Sequence, residues 1–136
     1  MSRVLITGAS AGIGRATAIE LARRGHSVTA TARQPDTLAD LQVADRLQLD
    51  VTDDESVCAA IADAGPLDTI VSDAGATIRG TVEAIALDDY ERLLQLNFLG
   101  ALRVAKAVRR AFLDLQGSAQ RFLGRTRASV CVNPTV

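Results

Sequence analysis

The stretch Thr7-Gly8-Ala9-Ser10-Ala11-Gly12-Ile13-Gly14 constrains this chain more than any other. It lies between a short apolar run, Val4-Leu5-Ile6, and a segment of helical periodicity that starts at Ile13. A strand that enters a glycine-rich turn and then opens a helix makes a seat for phosphate. The glycines let the backbone turn sharply and approach a ligand, and the free N–H groups of the first helical turn face the anion. Glycine spacing alone is a weak signal, and its place between a strand and a helix is what makes it specific.

Strand and helix signals then alternate, which predicts a parallel α/β sheet. Strands are expected at Arg3–Thr7, Ser27–Ala32, Arg46–Asp50 and Asp68–Ser72. The first helix, Ile13–Arg24, ends at Gly25 and places Gly14, Ala18, Leu21 and Ala22 on one face. Pro35 suits the first turn of a short helix reaching Val43. Thr52-x-x-Glu55 reads as a capping box for a helix whose apolar face is Val57, Ala60, Ile61 and Ala64, stopped by Gly65-Pro66. The longest helix is expected over Asp88–Leu115, capped by Asp88-x-x-Glu91. Tyr90, Leu93, Leu94, Asn97, Phe98, Ala101, Leu102, Ala105, Val108 and Phe112 recur along it at helical spacing. Such a helix is roughly 40 Å long, enough to cross a sheet and project beyond it. After Gln116 the pattern weakens: Gly117-Ser118 reads as a break, 119–127 is basic and irregular, and Ser129–Val132 is a candidate fifth strand before Pro134.

The 136 residues suit one domain, divided into a main unit, 1–115, and an atypical tail, 116–136. With 48% hydrophobic residues and 3% aromatics, the core must be built from Ala, Val, Leu and Ile. A formal charge of −1 gives no electrostatic case for nucleic acid or an anionic membrane. Cys58 and Cys131 lack metal-ligand spacing and do not make a disulfide framework, so both are expected as buried or partly buried thiols in a reducing compartment. No metal site is expected. No leader or membrane span is visible, which sets a cytoplasmic location as the default expectation.

In an open parallel sheet, ligands collect outside the carboxyl ends of the strands, near the point where strand order reverses. Gly8, Arg33, Asp50 and Gly75 each follow a strand. Features converging at four strand ends favour one extended ligand such as a dinucleotide. Arg33 lies about 20 residues beyond the glycine turn, where a basic residue accepts the 2′-phosphate of NADP and an acidic one would take the ribose hydroxyl of NAD. The alternative for Arg33 is a solvated loop arginine. Asn97 is a polar interruption of an apolar stripe. A buried amide without partners costs about 1–3 kcal/mol, so Asn97 is expected to bond bent backbone, water or ligand.

Together the turn Thr7–Gly14, Asp50-Val51, Ser72-Asp73-Ala74-Gly75 and Asn97 give residues 3–110 a clear resemblance to the N-terminal half of the short-chain dehydrogenase/reductase family. The resemblance implies a Rossmann-type, doubly wound parallel sheet, here incomplete at about four to five strands. It implies a dinucleotide site at Gly8, Ser10, Gly12, Ile13, Gly14, Arg33, Asp50, Val51, Ala74 and Gly75, with NADP preferred over NAD. Asp50 would face adenine and Val51 offer its backbone; the alternative is that Asp50 only precedes a helix. Asn97 would be an ancillary active-site residue that kinks its helix and holds a relay water; the alternative is a core Asn with ordinary partners. Ser72-Asp73 stands where the family usually has Asn-Asn. An ionised Asp73 near a polyanion would repel it unless donors compensate.

The family's catalysis needs Tyr-x-x-x-Lys on a later helix, the Lys lowering the phenol pKa so that the Tyr moves a proton to or from the substrate oxygen. The sole tyrosine, Tyr90, has Leu94 four residues on, so Tyr90 and Lys106 are expected as ordinary helix-face residues and His26 as a loop residue. The catalytic Ser is not identifiable, since neither Ser129 nor Thr135 has the expected setting. Three readings follow: an oxidoreductase moving hydride between NADP(H) and a carbonyl or secondary alcohol, its Tyr and Lys supplied from elsewhere; a non-catalytic nucleotide-binding or dimerising fragment; or a truncated or frame-shifted product. S-adenosylmethionine is the runner-up ligand, since methyltransferases also place a glycine turn after their first strand. Bare sheet and helix surface implies marginal stability or association, with homo-oligomers forming through helix 88–115.

Overall fold

A computed structural model describes residues 1–119 and 129–132, with side chains through Ala111. The strands are β1 (Arg3–Thr7), β2 (Ser27–Ala32), β3 (Asp45–Gln48), β4 (Thr69–Ser72) and β5 (Ser129–Val132). All pair in parallel, in the order β3-β2-β1-β4-β5. The helices are α1 (Gly12–Arg23), α2 (Asp54–Ala64), α3 (Leu87–Leu94) and α4 (Gly100–Ala119). A π turn, Gln95–Leu99, joins α3 to α4, and a short 3₁₀ turn spans Pro35–Leu38. This is the doubly wound α/β sheet expected of the sequence, and strand order reverses between β1 and β4.

Strands covered on both faces read as continuous apolar runs, and β1 and β2 are buried along nearly their whole length. Alternation sends Leu5 and Ile70 to one face, with Val57, Ala60, Ile61 and Ala64 of α2 and Val104 and Val108 of α4. Val4, Ile6, Val28 and Ala30 point the other way, onto Ala18 of α1 and onto Leu38 and Leu41. The predicted faces of α1 and α2 are therefore the ones that pack. Gly25 and Gly65 close those helices with φ of 82° and 67°.

Several expectations are corrected. β3 starts a residue early and ends at Gln48, and the segment after Pro35 is a single 3₁₀ turn that ends at Leu38. Asp53, not Thr52, caps α2: its side chain accepts from the Glu55 N–H at 2.9 Å, while Thr52 bonds Asp50. α3 starts at Leu87 with no side-chain cap, so Asp88 and Asp89 act on its N-terminus through charge alone. α4 runs through Gly117-Ser118 instead of breaking there. Cys58 is exposed, because it sits on the outer side of α2. The Cys131 side chain, residues 120–127, Pro134 and Thr135 lie outside the described residues.

The long apolar stripe is also turned. Gly100, Val104 and Val108 face the sheet, whereas Leu94 and Phe98 are 60% exposed and Leu102 44%. The close approach of α4 explains this choice of small residues: a β-carbon on Gly100 would lie 2.7 Å from Val51 Cγ2. Larger side chains are left on the outside. β5 pairs β4 from Thr69↔Ser129 to Ser72↔Val132, so β4 is not the edge strand.

Candidate functional site

A cavity of about 350 Å³ opens at the carboxyl ends of β1 to β4. Gly8, Ser10, Gly12 and Ile13 reach it from the turn after β1, Arg33 from the end of β2, Asp50 and Val51 from beyond β3, and Ala74 and Gly75 from beyond β4. Residues 67 apart in the chain thus share one hollow at the switch point, where such folds hold ligands. Gly14 and Asn97 are not among the residues that line it.

The glycine turn is shaped by close contact. Gly8 has φ 71°, and a β-carbon there would lie 2.7 Å from Ala74 Cα. One on Gly14 would lie 2.6 Å from the Gly8 carbonyl oxygen and 2.8 Å from Asp73 Oδ2. Only residues without a side chain let β1, α1 and the segment after β4 meet this closely. The fully buried Thr7 ties them: its Oγ1 accepts from the N–H of Asp73 at 3.1 Å and of Ala74 at 3.2 Å. Thr31 Oγ1 donates to the Ile6 carbonyl at 3.0 Å, and the Ala9 N–H to the Thr31 carbonyl at 2.9 Å.

The two helix starts differ. α2 is capped by Asp53 and carries Asp54 and Glu55 in its first turn. α1 has an extended Ala11 as N-cap, no side-chain cap and no acid in its first turn. A β-carbon on Gly12 would meet nothing within 4 Å. The positive end of α1 therefore opens on the cavity, while that of α2 is compensated by the chain itself.

Arg33 and Ser10 belong both to this cavity and to a neighbouring hollow of about 410 Å³ completed by Gln34 and Thr37. The Arg33 carbonyl accepts from Gln48 Nε2 at 3.2 Å, which holds its backbone to β3. Asp50 Oδ1 accepts from the Thr52 hydroxyl at 2.7 Å and the Thr52 N–H at 2.9 Å. These bonds, followed by the nearby charge of Arg33, hold the Asp50 carboxyl below its ordinary pKa. Its own N–H donates to Ser56 Oγ at 2.9 Å.

Asn97 is exposed, which corrects the buried amide expected of its stripe. The π turn is the reason, since it breaks the single helical phase that the stripe assumed. Its side chain is nonetheless fully engaged: Oδ1 accepts from the Ala76 N–H at 2.9 Å and Nδ2 donates to the Ala76 carbonyl at 2.8 Å. Of the expected partners, bent backbone, water or ligand, the structure shows backbone, at Ala76 in a loop that lines the cavity. Tyr90 is half-buried on α3 and Lys106 exposed on α4, and His26 Nδ1 accepts from the Ser2 N–H at 3.3 Å in the loop before β2. Among the described residues no group of His, Cys, Asp and Glu could hold a metal, and no helix is long and apolar enough to cross a membrane.

Sequence reasoning did not single out Ala76, Thr77 and Leu96 as lining residues, nor Thr7 as the tie between loops. Thr7 carried a signal, a hydroxyl at the last position of a buried strand. Ala76 and Thr77 carried none, because their loop has no periodicity. The arrangement suits an extended anionic ligand: a helix start without a side-chain cap, a backbone cradle that side chains would fill, and a guanidinium at the far side.

A family model described as short chain dehydrogenase matches residues 2–120. The chain is 32% identical over 124 residues to 3-ketodihydrosphingosine reductase of Bos taurus, covering 79% of this chain and 37% of that protein. It is 33% identical over 123 residues to NADPH-dependent 1-acyldihydroxyacetone phosphate reductase of Schizosaccharomyces pombe, covering 85% and 42%. A short-chain dehydrogenase structure from Streptomyces avermitilis superposes with a TM-score of 0.80 at 30% identity, covering 96% of this chain and 48% of that one. The chain spans about half or less of the length of these relatives.

Proposed function

This chain belongs to the short-chain dehydrogenase family, and from that premise we propose that its cleft binds a dinucleotide, NADP(H) in preference to NAD(H). The observation that carries this reading is the N-terminus of α1, which has no side-chain cap, opening on a cavity that also gathers the ends of β2, β3 and β4. The N–H groups of the first turn, at Gly12, Ile13 and Gly14, would seat the pyrophosphate. Gly8, Ala74 and Gly75 would let it approach the backbone. Asp50 and Val51 would face the adenine. Arg33, with Ser10 beside it, would pair with the 2′-phosphate. One of the relatives is itself NADPH-dependent by name, which supports that choice.

A bound dinucleotide would give a hydride to a carbonyl in its reduced form or take one from a secondary alcohol in its oxidised form, the substrate class that the family's chemistry implies. Asn97 would contribute by fixing the loop at Ala76, and so the wall of the cleft. The 136 residues contain no Tyr-x-x-x-Lys. The proton-donating pair would therefore come from outside this sequence, and a non-catalytic nucleotide-binding or dimerising module is the second reading that the same fact favours.

Calorimetric titration of the chain with NADPH and NADH tests the binding. Saturable binding of both is expected, tighter for NADPH. The Arg33→Ala variant should lose roughly 10–100-fold in NADPH affinity and little in NADH affinity, the worth of a charge-assisted pair. A folded chain that binds neither nucleotide rejects the proposal. NADPH consumption above background with a panel of carbonyl compounds separates enzyme from binding module.

A further inference from the structure

We propose that Arg15, in the first turn of α1, is a positioning residue that sharpens the preference of the cleft for a 2′-phosphorylated nucleotide. The inference rests on the dinucleotide reading of the cleft and concerns the hollow beside Arg33, where the 2′-phosphate would lie. Gln34 and Thr37 complete that hollow, and they belong to the 3₁₀ turn Pro35–Leu38 and its N-cap. The hydrogen bonds of a 3₁₀ turn are poorly aligned, so it has little rigidity of its own. The Thr37 N–H and hydroxyl both donate to the Gln34 carbonyl, at 3.1 and 2.6 Å, and the Ala39 N–H donates to the Asp36 carbonyl at 3.2 Å. Leu38 and Leu41 hold the segment to the core.

Two arginines from other elements tie it further. Arg46, on β3, donates through Nε to the Leu38 carbonyl at 3.0 Å and through Nη2 to the Leu41 carbonyl. Arg15 donates through Nη1 to the Thr37 carbonyl at 3.4 Å and through Nη2 to the Asp40 carboxylate. That bond holds the Asp40 carboxyl below its ordinary pKa, so the pair is charged on both sides at neutral pH. Arg15 differs from Arg46 in belonging to α1, whose first turn is the proposed phosphate seat. It therefore fixes the wall of the 2′-phosphate hollow to the helix that would hold the pyrophosphate. A ligand gripped at both points gains from a wall that is already in place. Asp40 is 74% exposed, and so open an ion pair adds little to stability. Its loss should loosen the wall and spare the fold.

Titration of the full chain with NADPH and with NADH, for the parent and for Arg15→Ala, tests this. The variant should lose about three- to fivefold in NADPH affinity, the scale of an exposed ion pair, and keep its NADH affinity. Arg15→Lys, which keeps the charge but not the fork, should fall between parent and Arg15→Ala. An unchanged ratio of NADPH to NADH affinity in Arg15→Ala overturns the proposal. So does an equal loss for both nucleotides, which would report damage to α1 instead of a displaced wall. If Arg15→Ala does not fold, Asp40→Ala is read in its place: it removes the acid that Arg15 holds, and a ratio unchanged from the parent overturns the proposal. A folded parent that binds neither nucleotide, or binds NADH more tightly, brings down the dinucleotide reading and this inference together. A parent that prefers NADPH, with variants that keep that preference, brings down this inference alone.

Discussion

Two polar residues carry most of what single side chains do around the cleft. Asn97 spends both ends of its amide on the backbone of Ala76, so it acts as a clamp between the π turn and the loop after β4. Its polarity within a stripe marked it as a residue with a partner, but the sequence gives no hint that the partner is 21 residues back. Asp50 is a local case: it bonds Thr52 two residues on, an arrangement the Asp-x-Thr spacing itself allows. Because its carboxyl is held below its ordinary pKa in the folded chain, the folded state favours the ionised form. The stability this contributes is present above the unfolded pKa and is lost as pH falls through the folded one, below about pH 4. Urea unfolding of the parent and of Asp50→Asn should therefore show the parent more stable at pH 7 and the gap closing toward pH 3. A gap that stays constant with pH would remove the ionised carboxylate as its cause.

Among the elements, the longest helical segment shows best where periodicity stops being informative. Apolar residues every three or four positions correctly announced a helix near residues 88–115. They did not say which side would meet the sheet, because apolar residues occur on more than one side: Leu94, Phe98 and Leu102 are exposed, while Leu96, Val104 and Val108 pack on the core. Gly100, Val104 and Val108 allow α4 to lie close to Val51. Gly100→Val should accordingly cost about 1–3 kcal/mol through overpacking, read as a lowered midpoint in thermal unfolding. Since Val51 lines the cavity, nucleotide affinity should fall with it. A variant with unchanged midpoint would show that α4 does not sit where Gly100 puts it. α2 posed no such choice, since Val57, Ala60, Ile61 and Ala64 form one apolar face and that face is the buried one, whereas α1 buries the small Gly14 and Ala18 and leaves Ile13 and Ile19 exposed.

At the scale of the whole molecule, the outward side of the α3–α4 segment leaves Leu94, Phe98 and Leu102 open to solvent. Exposed apolar side chains aligned along a helix favour association. Sedimentation velocity should show the chain self-associating at micromolar concentration, and Phe98→Lys should shift it toward monomer without lowering its far-ultraviolet helical signal. A monodisperse, cooperatively melting parent monomer would contradict this. β5 bears on the same question, because by pairing β4 along its length it supplies the hydrogen bonds that β4 would otherwise present as an edge.

By itself the sequence determined the alternation of strands and helices, the glycine turn after β1 and the residues at each strand end, because these depend on spacing between near neighbours. It also marked Gly8, Arg33, Asp50 and Gly75 of the cleft, since a parallel sheet brings strand ends to one side whatever their order, while Ser10, Gly12, Ile13, Val51 and Ala74 followed from the family resemblance. Only the tertiary structure decided that Thr7 would hold Asp73 and Ala74, that Asn97 would hold Ala76, and that the Asp73 carboxylate would rest on α1. Those contacts join segments far apart in the chain. Their existence depends on how closely helices and sheet approach, and that distance is set by packing, which no local pattern encodes.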